Sequence, residues 1–378
     1  MEHFETIKKG QKLLDQNSRL RTSIEELGLK LMNGADAEPQ FEEIEEEGFE
    51  IDSPDYFNEA FKKEGFKVAQ PIGIVNERVH TLFTVSGIQI LDPIIHDGAE
   101  ISDQKIFVAQ PVIRTQFLPQ VEEGSLTSFI NLTAASINES YAEHFFTIKK
   151  WLAIMEEMGF SKEKISVRVS HNKNKWGKRE FENEFIGIYY NNVEIGEASY
   201  IEKMPQNNRP SISISEVAFG KERMNFSLGG KTFGDYLMQG ASIKIIDSAR
   251  TLTLLAGSGV KPGNRGREYR TRLFSKNFVR ENMNAGVSPE DIFKLSYDRW
   301  LKWIKLPLNL ERTIDILLTE YDRNFNRETL NFLALNKVNI EMNVNQPTER
   351  FMKQLNKTGS VDTRLIDNIY KLYARKKS

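Results

Sequence analysis

Between residues 165 and 217 apolar side chains recur with period two in successive short runs, and this restricts the fold more than any other feature of the chain. Ile165, Val167 and Val169 form the first run. Phe185 to Tyr190 and Val193 to Ile201 flank the pair Asn191-Asn192, a dipeptide that tolerates positive φ and closes a two-residue hairpin. Ser211 to Val217 is another run of the same period. From Tyr236 the period changes to that of a helix, through Ile243, Ile246, Ala249, Leu252 and Leu255 and on to Trp300, Trp303, Leu317 and Leu318. Consecutive antiparallel strands followed by unbroken helix predict an α+β chain: an antiparallel sheet flanked by helices, then an all-helical C-terminal domain. The expected borders are 1–52 for an N-terminal extension, 53–235 for the sheet domain and 236–378 for the helical one.

A second strand-loop-strand lies upstream, from Val108 to Ser136. Val108, Val112 and Ile113 favour a strand, and Pro111, which lacks an N–H, confines that strand to an edge or a bulge. Pro119 and Gly124 break the connection. Arg114 closes the first strand, either as an ordinary surface charge or as a ligand group. Ser53-Pro54-Asp55 starts a helix that shows Phe57 and Phe61 on one face and stops at Gly65. Val68 to Val75 and Thr81 to Val85 read as strands. Tyr141 to Met158 is the clearest helix, with Phe145, Ile148, Trp151, Leu152 and Met155 on its core side and Gly159 beyond its end. Residues 5 to 32 have a partly regular helical pattern, and Glu38 to Glu50 is an acidic linker or solvated arm.

With 378 residues the chain has room for two or three cores. It has no cysteine, which excludes disulfides and thiolate metal sites, and its five histidines lack metal-ligand spacing, so no dedicated metal site is expected. No apolar run approaches the roughly 20 residues of a membrane span, and Met1 to Gly10 has no apolar leader core. The reading is a soluble, cytoplasmic protein without a membrane partner. The net charge of −2 conceals a balance of −7 over residues 1–50 and +5 over the rest. Lys261, Arg265, Arg267, Arg270, Arg272, Lys276 and Arg280 are interleaved with Tyr269, Phe274 and Phe278. Such a segment suits a phosphate backbone, or is a solvated helix face.

The glycine-rich phosphate cradles fail. Gly229-Gly230-Lys231-Thr232 ends like a P-loop, but the first glycine that motif needs is replaced by Asn225. Gly257-Ser-Gly259 follows a helical pattern, not the strand of a dinucleotide fingerprint. That leaves two arginines, Arg114 and Arg223, each at or just past a strand, and arginine's planar fork suits phosphate or carboxylate.

Over about residues 55 to 335 the chain resembles the catalytic core of alanyl-tRNA synthetase, a class II aminoacyl-tRNA synthetase, as a truncated and divergent paralogue. Phe61-Lys-Lys-Glu-Gly65 and Thr81-Leu-Phe-Thr-Val-Ser-Gly-Ile88 are similar to its first motif region. Ala109-Gln-Pro-Val-Ile-Arg-Thr115 and Thr127-Ser-Phe-Ile-Asn-Leu132 resemble its motif 2 strands, and Gly220-Lys-Glu-Arg223 resembles motif 3. Ile246-Asp247-Ser-Ala-Arg250 and Gly259-Val-Lys-Pro-Gly-Asn264 resemble the opening of its tRNA-recognition domain. The resemblance implies a class II synthetase-like sheet and ATP-dependent activation of alanine or another small amino acid as an aminoacyl-adenylate, with magnesium on the phosphates and transfer to tRNA. It implies Arg114 and Arg223 as catalytic residues, and Arg114, Phe129, Glu222 and Arg223 at ATP. Ile88, Trp176, Glu197 and Glu216 would line the amino-acid pocket. Asn264, Arg265, Arg267, Arg270 and Arg272 would meet the tRNA acceptor stem. A homodimer through the motif 1 region is also implied.

The departures are informative. Glu216 stands where the family has an aspartate for the substrate ammonium, and Gly196-Glu197 where it has Trp-Asn. Gly124-Ser125-Leu126 replaces the Arg-His-His that enters the second motif 2 strand. Phe233-Gly-Asp-Tyr236 looks like a motif 2 phrase but follows motif 3, and the family's editing and oligomerisation domains have no counterpart. Two carboxylates in a pocket built for one ammonium would attract a second positive group or raise the pKa of one acid, unless Glu197 points to solvent. Loading of a carrier protein or small molecule, and a catalytically silent tRNA-binding protein, are the alternatives.

Overall fold

The computed structural model describes residues 18–32, 51–75, 81–95, 104–116, 121, 126–206, 209–229, 241–335, 342–343, 346–347, 349–356, 366 and 369. The acidic run at 38–50, Gly124 and Ser125 of the replaced triplet and the phrase at 233–236 lie outside them. The chain divides into two compact units, Met1–Gly234 with Lys302–Ile304, and Asp235–Leu301 with Lys305–Ser378.

The first unit is built on one eight-stranded mixed sheet. In chain order its elements are α1 (Ser18–Glu26), β1 (Lys30–Leu31), α2 (Asp55–Lys63), β2 (Lys67–Val68), a 3₁₀ turn (Gly87–Leu91) running into α3 (Asp92–Ile95), β3 (Gln104–Ile113) and β4 (Ser128–Ile137). Then come α4 (Tyr141–Glu157), β5 (Ile165–Trp176), β6 (Arg179–Tyr190), β7 (Val193–Gln206), β8 (Arg209–Gly220) and α5 (Lys221–Gly229). The strand order is β1-β5-β6-β7-β8-β4-β3-β2. The six long strands pair antiparallel, and a two-residue parallel strand is added at each edge. The predicted hairpin is present: Asn191 and Asn192 take φ of 48° and 64° between β6 and β7.

Alternation along each strand divides the sheet into two faces. One carries Phe107, Leu132, Ala134, Ala198, Val217 and Phe219 and packs under α2 and α4. Phe61 stacks on Phe107 with ring centres 4.5 Å apart, and Trp151 lies 4.6 Å from Phe219. Each such fully buried side chain stabilises the unit by about 1.5–3 kcal/mol. His144 of α4 is buried there as well. Its Nδ1 is 2.8 Å from Ser215 Oγ, and burial pushes its pKa down to about 3, so the ring is neutral.

The other face is apolar at one end. Ile106, Ile137, Ile201, Met204, Ile212 and Ile214 are covered there by Leu91, Ile94 and Ile95 of the 3₁₀ turn and α3. This cover sits close: the Gly87 N–H donates to Asn131 Oδ1 at 2.8 Å, and a Cβ on Gly87 would fall 2.2 Å from Thr133 Oγ1. Only glycine allows that approach.

Two strand expectations are corrected. Of Val68–Val75 only Val68 lies in a strand, and Thr81–Val85 forms none. Pro71 and Gly73 interrupt the first, and the Gln110 side chain substitutes for a ladder, accepting from Ile72 N–H at 2.9 Å and donating to Ile72 O at 3.0 Å. Pro111 therefore stands beyond the two residues that pair with β2, where β3 is an edge. Residues 18–32 also do more than extend the chain: Leu20, Ile24 and Leu27 are buried, and Lys30–Leu31 pairs with Ser166–Val167.

Among its described residues the second unit is helical apart from a two-residue strand pair at Met342–Asn343 and Gln346–Pro347. Its long helices are α6 (Ile243–Gly257), α7 (Gly266–Ala285), α8 (Pro289–Leu301) and α9 (Leu310–Leu335). Among the described residues no helix is long and apolar enough to cross a membrane.

Candidate functional site

The open part of the second sheet face collects most of the chemically active side chains. Directly paired residues share a face, so register places them: Ala135 and Ser199 flank Glu216, and Thr133 and Glu197 flank Ala218. Asn131 pairs with Gly220, and Gly187 with Glu197. The floor beside the two acids is thus made of Ala135, Ala218, Gly187, Gly220 and Ser199, small residues that leave space above the strands.

Arg114 leaves the end of β3. Its backbone N–H donates to Thr127 O at 2.8 Å, and its Nε donates to Val85 O at 3.0 Å, which fixes the guanidinium 5.1 Å from the centre of the Phe129 ring. Phe129 and Arg223 converge from β4 and from the first turn of α5. A methyl built on Gly220 would lie 3.8 Å from both the Phe129 ring and Arg223 Cβ. With no side chain at Gly220, the Phe129 ring and the Arg223 stem come within van der Waals reach of one point above the strand, and the Arg114 guanidinium stands over the Phe129 ring. Glu222, expected at the nucleotide, turns inward instead: it is 1% exposed and accepts the Ile130 N–H at 2.9 Å, tying α5 to β4.

Glu216 is 6% exposed and accepts from Ser86 Oγ at 3.1 Å. Burial pushes its pKa up to about 8, the Glu197 charge adds to the rise, and Ser86 and Arg114 oppose it. Glu197 is raised as well, first by burial and then by Glu194, against the opposing charges of Arg114 and Arg223. Glu197 remains partly exposed on that face, where it pairs with Ala218 and Gly187. Near neutral pH the pair holds a proton that an arriving cation would displace.

Trp176, at the end of β5, donates its indole N–H to Asp92 Oδ1 at 2.6 Å and packs with Ile88 and Phe181 on the apolar end of this face. The four residues expected at an amino-acid pocket thus share one face. Sequence reasoning missed Ser86, Asn183, Ser199 and Glu194. Ser199 has the strand parity of Glu197 and was findable. Asn183 donates to Ser199 Oγ at 2.7 Å and accepts from Asn174 at 2.9 Å, extending the polar row across β6 and β5.

No protein-family model matches the sequence, and no curated protein matches it. Solved structures do. One is a pyrrolysyl-tRNA synthetase from Desulfitobacterium hafniense, 10% identical, covering 49% of this chain and 71% of its own, with a TM-score of 0.33. A second structure of that organism's pyrrolysyl-tRNA synthetase is 11% identical over 47% of this chain and 68% of its own, again with a TM-score of 0.33. Similarity of that degree carries no chemistry from one protein to the other.

The basic segment belongs to the second unit. Phe274 and Phe278 are fully buried, Phe278 lying 4.9 Å from Phe293, so those two aromatics are core. Tyr269 is exposed, beside exposed Arg265 and Arg270 and half-buried Arg267. Arg272 is instead held within the unit, donating from Nε to Glu320 at 3.1 Å and bonding Asn264 Oδ1. Arg280 pairs with Glu328 at 3.2 Å.

Proposed function

We propose that the sheet unit activates an amino acid with ATP to give an aminoacyl-adenylate and pyrophosphate, and that the protein passes the aminoacyl group to tRNA. The observation that carries this reading is the convergence of the Phe129 ring and Arg223 above Gly220, an aromatic surface and a cation that suit a purine ring and its phosphates. Arg114 adjoins both the Phe129 ring and the acid pair, where the reacting carboxylate and α-phosphate would meet. One carboxylate oxygen attacks the α-phosphorus, the bond to the β-phosphate bridging oxygen breaks, and pyrophosphate leaves with the electron pair. Positioning and charge stabilisation by the two arginines would lower that barrier. Magnesium would arrive with the triphosphate. Among the described residues no three His, Asp or Glu side chains are grouped to hold a metal, and magnesium is usually bound by phosphates and waters with one or two carboxylates.

Glu216 would meet the substrate ammonium, with Ile88 and Trp176 as apolar walls. The second acid, Glu197, favours a substrate other than alanine, one that brings further positive charge or a donor. Exposed Arg265, Arg270 and Tyr269, with half-buried Arg267, are the surface offered to the acceptor stem.

ATP–pyrophosphate exchange across a panel of amino acids tests the reading. Exchange should require one amino acid, and Arg223→Ala should abolish it with an unchanged circular-dichroism spectrum. Exchange that survives Arg223→Ala would refute the assignment, and selective alanine activation would refute the altered specificity. A second reading, a tRNA-binding protein that does not activate, is favoured by the engagement of Arg223 with Glu194. Absence of exchange together with salt-steep tRNA binding would select it. Absence of tRNA binding at low salt would point to a carrier protein or small molecule as acceptor.

A further inference from the structure

A β-bulge brings a carboxylate to Arg223. Ile188 pairs with Gly196, but the next residue, Tyr189, pairs with Glu194, so Ile195 is the extra residue of β7. With regular pairing Ile195 would oppose Tyr189, and Glu194 would fall on the face packed under α2 and α4. The bulge turns Glu194 to the open face, the kind of re-aiming that bulges perform beside functional sites. There Arg223 Nη1 donates to Glu194 O at 3.2 Å and lies 3.4 Å from its carboxylate. The same carboxylate crosses β6: Oε1 is 3.5 Å from where a Cβ on Gly187 would sit. Its charge reaches Glu197 too, where it opposes ionisation.

We propose that Glu194 is a positioning residue whose carboxylate occupies Arg223 as an internal stand-in for phosphate and is displaced when a nucleoside triphosphate enters. This rests on the nucleotide reading given above. An incoming phosphate carries more charge than the carboxylate and forms the same fork of hydrogen bonds, so exchange of partners at Arg223 is favourable. Both side chains are about one-third exposed, at 30% and 38%, so the pair is weak enough to open. Until it opens, it keeps the arginine aimed along β7.

The test is magnesium-ATP binding by calorimetry on the full chain with Glu194→Gln, Glu194→Asp and Arg223→Ala. Glu194→Gln should tighten ATP about two- to fivefold, the range of an exposed ion pair, and leave adenosine affinity unchanged. Asp keeps the charge but is one methylene short of Arg223, so it should tighten ATP like Gln. In exchange kinetics the KM for ATP should fall without a rise in kcat. Unchanged ATP affinity in Glu194→Gln, or tightening by Gln with none by Asp, would overturn the proposal, the second result because it is a field effect only. ATP binding by the wild type that Arg223→Ala weakens keeps the nucleotide reading even then. No ATP binding by any form would overturn both.

Discussion

Replacing Glu216 by Gln removes a buried acid whose protonation state couples this site to stability. Its folded pKa of about 8 exceeds its ordinary 4.5, so the folded chain holds a proton that the unfolded chain releases above pH 4.5. The stabilisation is fully present below pH 4.5 and is lost as pH rises through 8. One pKa step is worth 1.36 kcal/mol, so the full difference is about 5 kcal/mol, and the part lost between pH 6 and pH 9 is about 2–3 kcal/mol. Gln keeps an oxygen to accept from Ser86 and cannot ionise, so Glu216→Gln should be free of that decline. Glu197 and Arg114 are the charged groups acting on Glu216, and Glu197 raises its pKa. Glu197→Gln should therefore move the wild-type decline to lower pH. Urea unfolding at pH 6, 7, 8 and 9, followed by tryptophan fluorescence, measures the difference between variant and wild type. Comparing the two proteins cancels the titration of groups they share. A difference constant from pH 6 to pH 9 within about 0.5 kcal/mol would refute the reasoning, because Glu216 would then ionise as an ordinary surface acid.

His144 supplies the opposite limb. Its folded pKa of about 3 lies below its ordinary 6.5, so its contribution is present above pH 6.5 and is lost as pH falls toward 3. His144→Gln should flatten the acid limb of the urea midpoint between pH 6 and pH 4, whatever it costs at neutral pH. In the helical unit the arginines should separate by role. Arg272→Ala, which removes the guanidinium hydrogen-bonded to the nearly buried Glu320 and leaves Arg323 at 3.7 Å, should lower stability by about 2 kcal/mol and be seen as a lower melting temperature. Arg270→Ala should leave melting unchanged and weaken tRNA binding, with a shallower salt dependence in gel shifts.

Much of the architecture was legible because it is written locally. Period-two alternation gave β5 to β8, the Asn-Asn pair marked the β6–β7 turn, and Pro111 marked the β3 edge. The same parity puts Ser199 on the face of Glu197, although Ser199 was missed. Val68–Val75 was misread for an equally physical reason. Its residues favour strand, but Pro71 and Gly73 break the ladder, and a side chain distant in sequence, Gln110, takes its place. The aromatic-basic run at 261–280 was read as one surface, yet Phe274 and Phe278 are core, and Glu320, 48 residues away from Arg272, engages that arginine.

The sequence by itself determined which side chains were available, the strands that carry them and, through alternation, most of the faces they occupy. What only the tertiary structure decided was which strands are neighbours, and therefore that Arg114, Phe129, Glu197, Glu216 and Arg223, more than a hundred residues apart at the extremes, lie over the same small-residue floor. It also decided the position of Glu194. Counting by twos from Glu197 assigns Glu194 to the opposite face, and only the mismatch between β6 and β7, a property of two strands together, turns it toward Arg223.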